Sequence, residues 1–185
     1  QRFKYISLGV SLLQFVLSVF IYTRFNNIAA GINKEEQFQL IEKLPWIRLD
    51  LGSIGKLEID YFLGIDGLSM PFLMLSSLVM FVATLASWEI KPNLKAYFSL
   101  FLLLNTAVMG VFCALDFFLF YIFYELMLLP LYFLIGMWGG ARREYAAIKF
   151  FLYTLFGSVF MLLVIIGLYF SVVNPATGNH TFNMI

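Results

Sequence analysis

Long apolar runs separated by short polar segments are the main feature of the sequence. The five runs occupy residues 5–22, 68–87, 96–115, 117–138 and 146–170. A helix rises about 1.5 Å per residue, so a run of about 20 residues matches a bilayer core about 30 Å thick. The pattern therefore predicts five membrane-spanning helices within a single membrane domain that covers residues 1–185.

The first run is the weakest of the five predicted spans. It holds 18 residues and follows Arg2 and Lys4, so a secretory signal peptide is the alternative. The apolar part would be long for a signal peptide, however, and no A-x-A cleavage pattern follows it. We therefore expect a membrane span.

Residues 23–67 form the longest polar segment. Within it, residues 44–66 alternate weakly between apolar and polar positions and include Gly52 and Gly55, which is typical of a β-hairpin. Trp46, Tyr61 and Phe62 suit the headgroup level, where amphipathic rings collect. We predict a short β-hairpin lying on the extracytoplasmic surface of the membrane.

The composition supports a membrane protein and argues against several other classes. Hydrophobic residues make up 62% of the chain and charged residues 12%, far from the proportions of a soluble domain. The net charge is +1 and the basic residues form no patch, which argues against a nucleic-acid partner. Cys113 and His180 are each the single residue of their type, so we expect no disulfide framework and no metal site built from this chain.

Basic residues favour one orientation in the membrane. The basic pairs that fall on the same side of the predicted bundle are Arg2 with Lys4, Lys91 with Lys95, and Arg142 with Arg143. By the positive-inside rule this side is cytoplasmic. The first residues are then cytoplasmic, and both the loop 23–67 and the C-terminal tail are extracytoplasmic.

Glu125 is the single charged residue in the run 117–138. It lies about 12 Å along the predicted helix, where a carboxylate is costly and usually has a function. Tyr121 and Tyr132 share its helical face, at i−4 and i+7. Pro130 is expected to kink the helix or to free a backbone carbonyl near the acid. We interpret this group as a proton-transfer site.

The counter-charge of Glu125 is not evident in the sequence. No lysine or arginine lies at a matching depth, so the acid either works as a protonatable carrier or meets a cation on a helix outside this segment. Lys149, Tyr153 and Gly157 share one face of the fifth predicted helix. Lys149 has two open interpretations: its ammonium group reaches the membrane interface, or it relays protons.

Three further polar residues have expected roles at helix ends or between helices. Asp66 and Asp116 stand at the starts of the second and fourth runs, where a carboxylate caps the free amides of the first turn. For Asp116 the alternative is an acid near the outer mouth of a proton path. Asn105 is expected to pack or hydrogen-bond between helices.

Three segments carry a resemblance to a known family. They read LGIDGLS (63–69), FYELMLLPLYFLIGMWGG (123–140) and AAIKFFLYTLFGS (146–158). They resemble the subunit M family of bacterial NADH-quinone oxidoreductase, which is homologous to mitochondrial NADH dehydrogenase subunit 4. The resemblance runs from about Tyr5 to the C-terminus. The related subunits L and N and the cation/proton antiporters share the acid but match residues 126–140 less well.

The resemblance implies an all-α polytopic membrane fold and a role in proton pumping. Members have fourteen membrane helices, and this chain resembles the second to the sixth. Glu125 would be the protonatable acid, with Lys149 as a possible relay and Tyr121, Pro130, Tyr132 and Tyr153 in support. The lysine that the family pairs with the acid lies on the next helix, so we expect the segment to be part of a longer protein.

The resemblance also implies partners and a location. NADH, FMN, Fe–S clusters and quinone would be bound by partner subunits, and this chain would hold no cofactor. Its partners would be other membrane-arm subunits, especially neighbouring antiporter-like ones, in the bacterial cytoplasmic membrane. Two alternatives stay open: a subunit of a Na⁺(K⁺)/H⁺ antiporter, and a non-catalytic scaffold in which Glu125 locks helices together.

Overall fold

The chain forms five long helices and one β-hairpin. The computed structural model describes residues 2–26, 38–50, 56–172, 180, 182 and 184. The elements are α1 (Arg2–Arg24), β1 (Gln39–Asp50), β2 (Lys56–Ile65), α2 (Ser69–Ala86), α3 (Leu94–Cys113), α4 (Phe117–Trp138) and α5 (Arg143–Ser171). All five helices are long and apolar enough to cross a membrane. The expected all-α membrane fold with a small hairpin is therefore confirmed, and the chain is a multi-pass membrane protein.

Polar contacts join the first three helices. The helix pairs α1 with α2, α3 with α4, and α4 with α5 pack together, and α1 also touches α3. The Gln14 amide donates to Asn105 Oδ1 over 3.1 Å, and the Asn105 amide donates back to Gln14. The hydroxyls of Ser18 and Ser77 lie 2.7 Å apart between α1 and α2. The interhelical bond expected of Asn105 is present, and α1 is packed as a member of the bundle.

The hairpin is longer than the sequence pattern suggests. Strand β1 begins at Gln39, before the alternating stretch 44–66, and pairs with β2 in antiparallel register. The register shifts after Pro45, which lacks the N–H group that a ladder bond would need. This irregularity weakens the alternating pattern, which explains why the sequence shows the strand only in part.

The connection between α3 and α4 pairs with the hairpin. Helix α3 ends at Cys113, earlier than the apolar run predicts. Ala114 forms a β-bridge with Leu63, and the Leu115 amide donates to the Phe62 carbonyl over 2.9 Å. Because the Leu115 amide bonds to β2 and not to α3, the helix does not continue to Leu115.

The hairpin closes over the ends of α4 and α5. Ile59 of β2 packs with Ile165, Tyr169 and Phe182 in one buried cluster. The Phe117 amide donates to the Phe182 carbonyl over 3.0 Å, which places Phe182 beside the start of α4. We call this the hairpin end of the bundle.

The opposite end carries the loops between α2 and α3 and between α4 and α5. The Lys4 ammonium donates to the Trp88 carbonyl, which places the start of α1 beside the end of α2. The Trp138 indole donates to the Pro92 carbonyl over 2.8 Å. We call this the basic end, because it carries Arg2, Lys4, Lys91, Lys95, Arg142 and Arg143.

Asp66 stabilises the start of α2 from just outside the helix. Its Oδ1 accepts a hydrogen bond from the Ser69 amide over 2.6 Å, and the Ser69 hydroxyl oxygen accepts one from the Asp66 amide over 3.0 Å. This reciprocal pair has the form of a capping box. The capping role expected of Asp66 is thus present, although the helix itself begins at Ser69.

Candidate functional site

Asp116 caps the helix that carries Glu125. The Asp116 side chain is 1% exposed, and its Oδ1 accepts hydrogen bonds from the Phe118 and Leu119 amides over 2.9 and 3.1 Å. Its Oδ2 accepts a longer bond, 3.4 Å, from the Asp60 amide on β2. The N-cap expectation is confirmed, and the same carboxylate joins α4 to the hairpin.

The surroundings of Asp116 raise its pKa above the ordinary value. Burial is the main cause, and it outweighs the amide hydrogen bonds from Leu119, Asp60 and Phe118, which act in the opposite direction. The negative charge of Asp60 adds to the increase. Asp60 itself is paired with Arg48 and, at 3.9 Å, with Lys43. The hairpin end therefore holds two acids and two cations in one network.

Glu125 carries a carboxylate oxygen that is cut off from hydrogen-bond partners. Its Oε1 atom is buried and has no hydrogen bond within the described part of the chain. Neither a lysine nor an arginine among the described residues forms a salt bridge with it. An ionised carboxylate in such a place is costly unless it binds a proton or a cation arrives. Protonation of the carboxylate, or a cation brought close to it, would remove this cost.

Tyr121 links Glu125 to α5. Its phenol interacts with the side chains of both Glu125 and Ser158. Ser158 is 1% exposed, and its hydroxyl also donates to the Leu155 carbonyl over 2.9 Å. The Tyr121 ring packs beneath the cluster of Ile59 and its neighbours at the hairpin end. A polar line thus crosses from α4 to α5.

Tyr132 and Pro130 lie further along α4. The Tyr132 ring lies 5.4 Å from the Phe151 ring of α5, so it faces the same neighbouring helix as Tyr121. Pro130 is fully buried, and α4 continues through it without a break. Because proline has no N–H, it leaves the carbonyl of Leu126 without its usual partner, one residue from Glu125.

Lys149 and Tyr153 lie apart from Glu125, on the outside of α5. Both side chains are exposed, Tyr153 at 71%. The Lys149 ammonium lies 5.9 Å from the Tyr145 ring centre and 5.7 Å from that of Tyr153. The shared face expected for Lys149 and Tyr153 is present, but the described bundle does not bring Lys149 to the carboxylate.

Ser158 is the site residue that the sequence analysis did not single out. Its only sequence signal is a small polar side chain in an apolar run, a pattern that usually reflects helix packing. Gly110 shows such packing, because the Phe123 ring lies where its Cβ would be. In the described ranges, no group of three or more His, Cys, Asp or Glu residues is arranged to hold a metal ion.

Comparison with known proteins gives two family matches and many relatives. Residues 48–115 match the amino terminus of NADH-ubiquinone oxidoreductase chain 4, and residues 114–179 match the transmembrane family of NADH:quinone oxidoreductases and Mrp antiporters. An NAD(P)H-quinone oxidoreductase chain 4 of Picosynechococcus is 40% identical over 100% of this chain. Subunit M of the Rhodobacter capsulatus NADH-quinone oxidoreductase is 36% identical over 90%, and subunit M of the Methanosarcina mazei F420H2 dehydrogenase is 39% identical over 94%.

A solved structure shares the fold. A chain of the membrane-bound sulfane sulfur reductase, an archaeal respiratory membrane complex, superposes with a TM-score of 0.69 at 20% identity, over 96% of this chain and 33% of that one. This chain spans 30–32% of the length of the three relatives named above. The two adjoining family matches and the relatives that align with nearly the whole chain agree on one assignment: the chain belongs to the NADH-quinone oxidoreductase subunit M, or chain 4, family.

Proposed function

We propose that the chain carries part of the proton path in the membrane arm of a respiratory NADH-quinone oxidoreductase, and that Glu125 is the residue that binds and releases the proton. The observation that supports this most directly is the buried Oε1 atom, which has no hydrogen-bond partner among the described residues. The coupled reaction would be quinone reduction in other subunits.

The energetics suit a carboxylate whose partner moves. A cation that approaches the acid favours its ionised form, and withdrawal of the cation favours protonation. A change of two units in the pKa of the acid corresponds to about 2.7 kcal/mol. Moving one charge across about 100 mV costs about 2.3 kcal/mol. The free energy released when one ion pair at Glu125 rearranges is therefore similar to the free energy needed to move one proton across the membrane.

The redox cofactors would lie in partner subunits. The relatives from Picosynechococcus and Methanosarcina mazei are named for different electron donors, NAD(P)H and F420H2, yet match this chain at 40% and 39% identity. Such similarity between proteins with different electron donors indicates that this membrane segment does not take part in oxidising the donor. NADH, FMN, Fe–S clusters and quinone are accordingly assigned to other subunits, and neighbouring antiporter-like subunits are the expected contacts within the bilayer.

The orientation follows from the basic residues. The basic end is cytoplasmic by the positive-inside rule, and the hairpin end is extracytoplasmic, in a bacterial cytoplasmic membrane. In this orientation Lys149 lies near the cytoplasmic interface, and it is the candidate relay between that side and the interior. Tyr153 supports that position through its ring.

The replacement Glu125→Gln in the assembled complex tests the proposal. Glutamine keeps the shape but binds no proton, so we expect proton pumping in proteoliposomes to fall to background while the complex still assembles on native gels. Glu89→Gln is the matched control, because Glu89 is an exposed glutamate beyond the end of α2. Pumping at the normal proton-to-electron ratio in Glu125→Gln would refute the proposal.

Two other outcomes identify the alternative functions. Failure of Glu125→Gln to assemble, with normal turnover in any complex that does form, would indicate that the carboxylate is a structural lock. Purification of the intact complex separates the respiratory enzyme from an antiporter, because only the former retains Fe–S subunits. The antiporter alternative requires a purified complex that lacks them.

A further inference from the structure

A cavity opens at the basic end between the last turn of α4 and the first turns of α5. Its volume is about 540 Å³. Three cationic side chains line it, those of Arg142, Arg143 and Lys149. Its remaining wall includes Ile135 and Phe150, which are apolar. One side of the cavity is therefore strongly basic, and the other continues the surface of the spanning helices.

The local backbone adds to the positive field. Arg142 immediately precedes α5, a 29-residue helix, and no side chain caps the helix start. The amino-terminal end of a helix carries a partial positive charge, so cations there are unfavourable unless an anion is bound. The single acid of the first turn, Glu144, lines adjoining hollows rather than this cavity. It therefore offsets only part of the positive charge.

The loop geometry holds Arg143 in place. The Arg143 guanidinium donates to the Met137 carbonyl over 3.0 Å at the end of α4. A Cβ at Gly139 would lie only 2.9 Å from the Arg143 Cβ, so glycine permits this close approach. Lys149, in the second turn of α5, lines the same cavity, and its ammonium lies beside the ring of Tyr145.

We propose that this cavity binds the phosphate group of an anionic phospholipid. Phosphate accepts hydrogen bonds from guanidinium and ammonium groups at once, and guanidinium does so with two parallel bonds. The cavity lies where two helices long enough to span a bilayer end, so we expect headgroups at its level, and Ile135 and Phe150 offer an apolar path for the start of the acyl chain. Basic pockets between spanning helices bind such headgroups. The inference does not depend on proton transfer by Glu125.

Photo-crosslinking in the assembled complex tests this site. The probe is phosphatidylglycerol with a photoactivatable group near the headgroup, diluted into phosphatidylcholine vesicles, and the readout is labelling of the peptide that spans residues 135–150. Arg142→Gln should lower that labelling about fivefold, the usual effect of one cation near an anionic surface. Arg142→Lys should retain it, which separates loss of charge from misfolding. Arg142 is chosen because Arg143 also holds the end of α4.

The control is Lys95→Gln, which removes an exposed cation at the same end that does not line the cavity. Labelling should be unchanged in this variant and weak with a phosphatidylcholine probe. Equal labelling in Arg142→Gln and the unmodified complex, or equal loss in Lys95→Gln, would overturn the proposal. Inorganic phosphate is the competing arm: full displacement of the lipid probe by it would reassign the site to soluble phosphate.

Discussion

At the scale of single residues, Tyr121 decides how Glu125 is held. Its phenol touches both the acid and Ser158, so removal of the hydroxyl isolates the carboxylate from α5. In Tyr121→Phe we expect the carbonyl stretching band of protonated Glu125 to rise in frequency and proton translocation to slow about tenfold or more. The expected slowing follows from the loss of the hydrogen bond that the phenol donates to the ionised Glu125 carboxylate, since a hydrogen bond to a charged group contributes about 1.5–3 kcal/mol.

The matched control for this variant is Tyr124→Phe. Tyr124 also lies on α4 and stacks with Phe120, with ring centres 6.3 Å apart, so its loss tests the general effect of removing a phenol from this helix. An unchanged carboxyl band in Tyr121→Phe, or the same shift in Tyr124→Phe, would show that Tyr121 does not position the acid.

The sequence predicts that Tyr121 lies beside Glu125, but it does not predict that Tyr121 also meets Ser158. Tyr121 and Glu125 share a face because residues four apart always do in a helix. Ser158 joins them only through the register of α5 against α4, which depends on how the two apolar surfaces interlock. Lys149 illustrates the same limit. The sequence shows that Lys149 shares a face of α5 with Tyr145 and Tyr153, but it does not show that this face lies away from Glu125.

At the scale of elements, the hairpin and α4 are joined through Asp116. Burial raises the pKa of Asp116 above its usual value of 3.8, so folding favours the protonated form. The stabilising contribution is complete below pH 3.8 and is lost as the pH rises through the folded-state pKa. Hydrogen-exchange protection of the hairpin amides, corrected for intrinsic rates, should therefore increase on acidification.

Asp116→Asn isolates this effect. Asparagine retains a carbonyl that can cap the Phe118 and Leu119 amides, but it has no charge to titrate, so the acid-dependent gain in protection should disappear. Asp66→Asn is the control, because Asp66 also stands at a helix start. A gain of the same size in Asp116→Asn would assign the pH dependence to another group.

The sequence predicts the ends of a helix where capping residues stand there. It does not predict them where pairing with a distant strand ends the helix. Helix α4 has the bounds that its apolar run suggests, because Asp116 caps one end and Gly139 follows the other. The apolar run predicts that α3 ends at Leu115, because Ala114 and Leu115 are apolar, whereas the helix ends at Cys113. Their pairing with Phe62 and Leu63 comes from a strand distant in sequence.

At the scale of the whole molecule, a buried amide pair holds α1 in the bundle. Asn105 is 3% exposed and exchanges two hydrogen bonds with Gln14. Asn105→Leu leaves the Gln14 amide facing apolar side chains, so we expect the solubilised complex to lose about 1–3 kcal/mol of stability, the usual cost of an unsatisfied polar group. A lower temperature of dissociation on native gels measures the effect.

The double variant Gln14→Leu with Asn105→Leu distinguishes pairing from packing. Replacing both amides by apolar groups removes the unsatisfied donor and acceptor, so the double variant should recover most of the stability lost in Asn105→Leu. If the two losses simply add, the amides act independently and shape alone seats α1. Recovery would mean that the two amides are coupled, and that the loss in Asn105→Leu comes from the Gln14 amide left without its partner between α1 and α3.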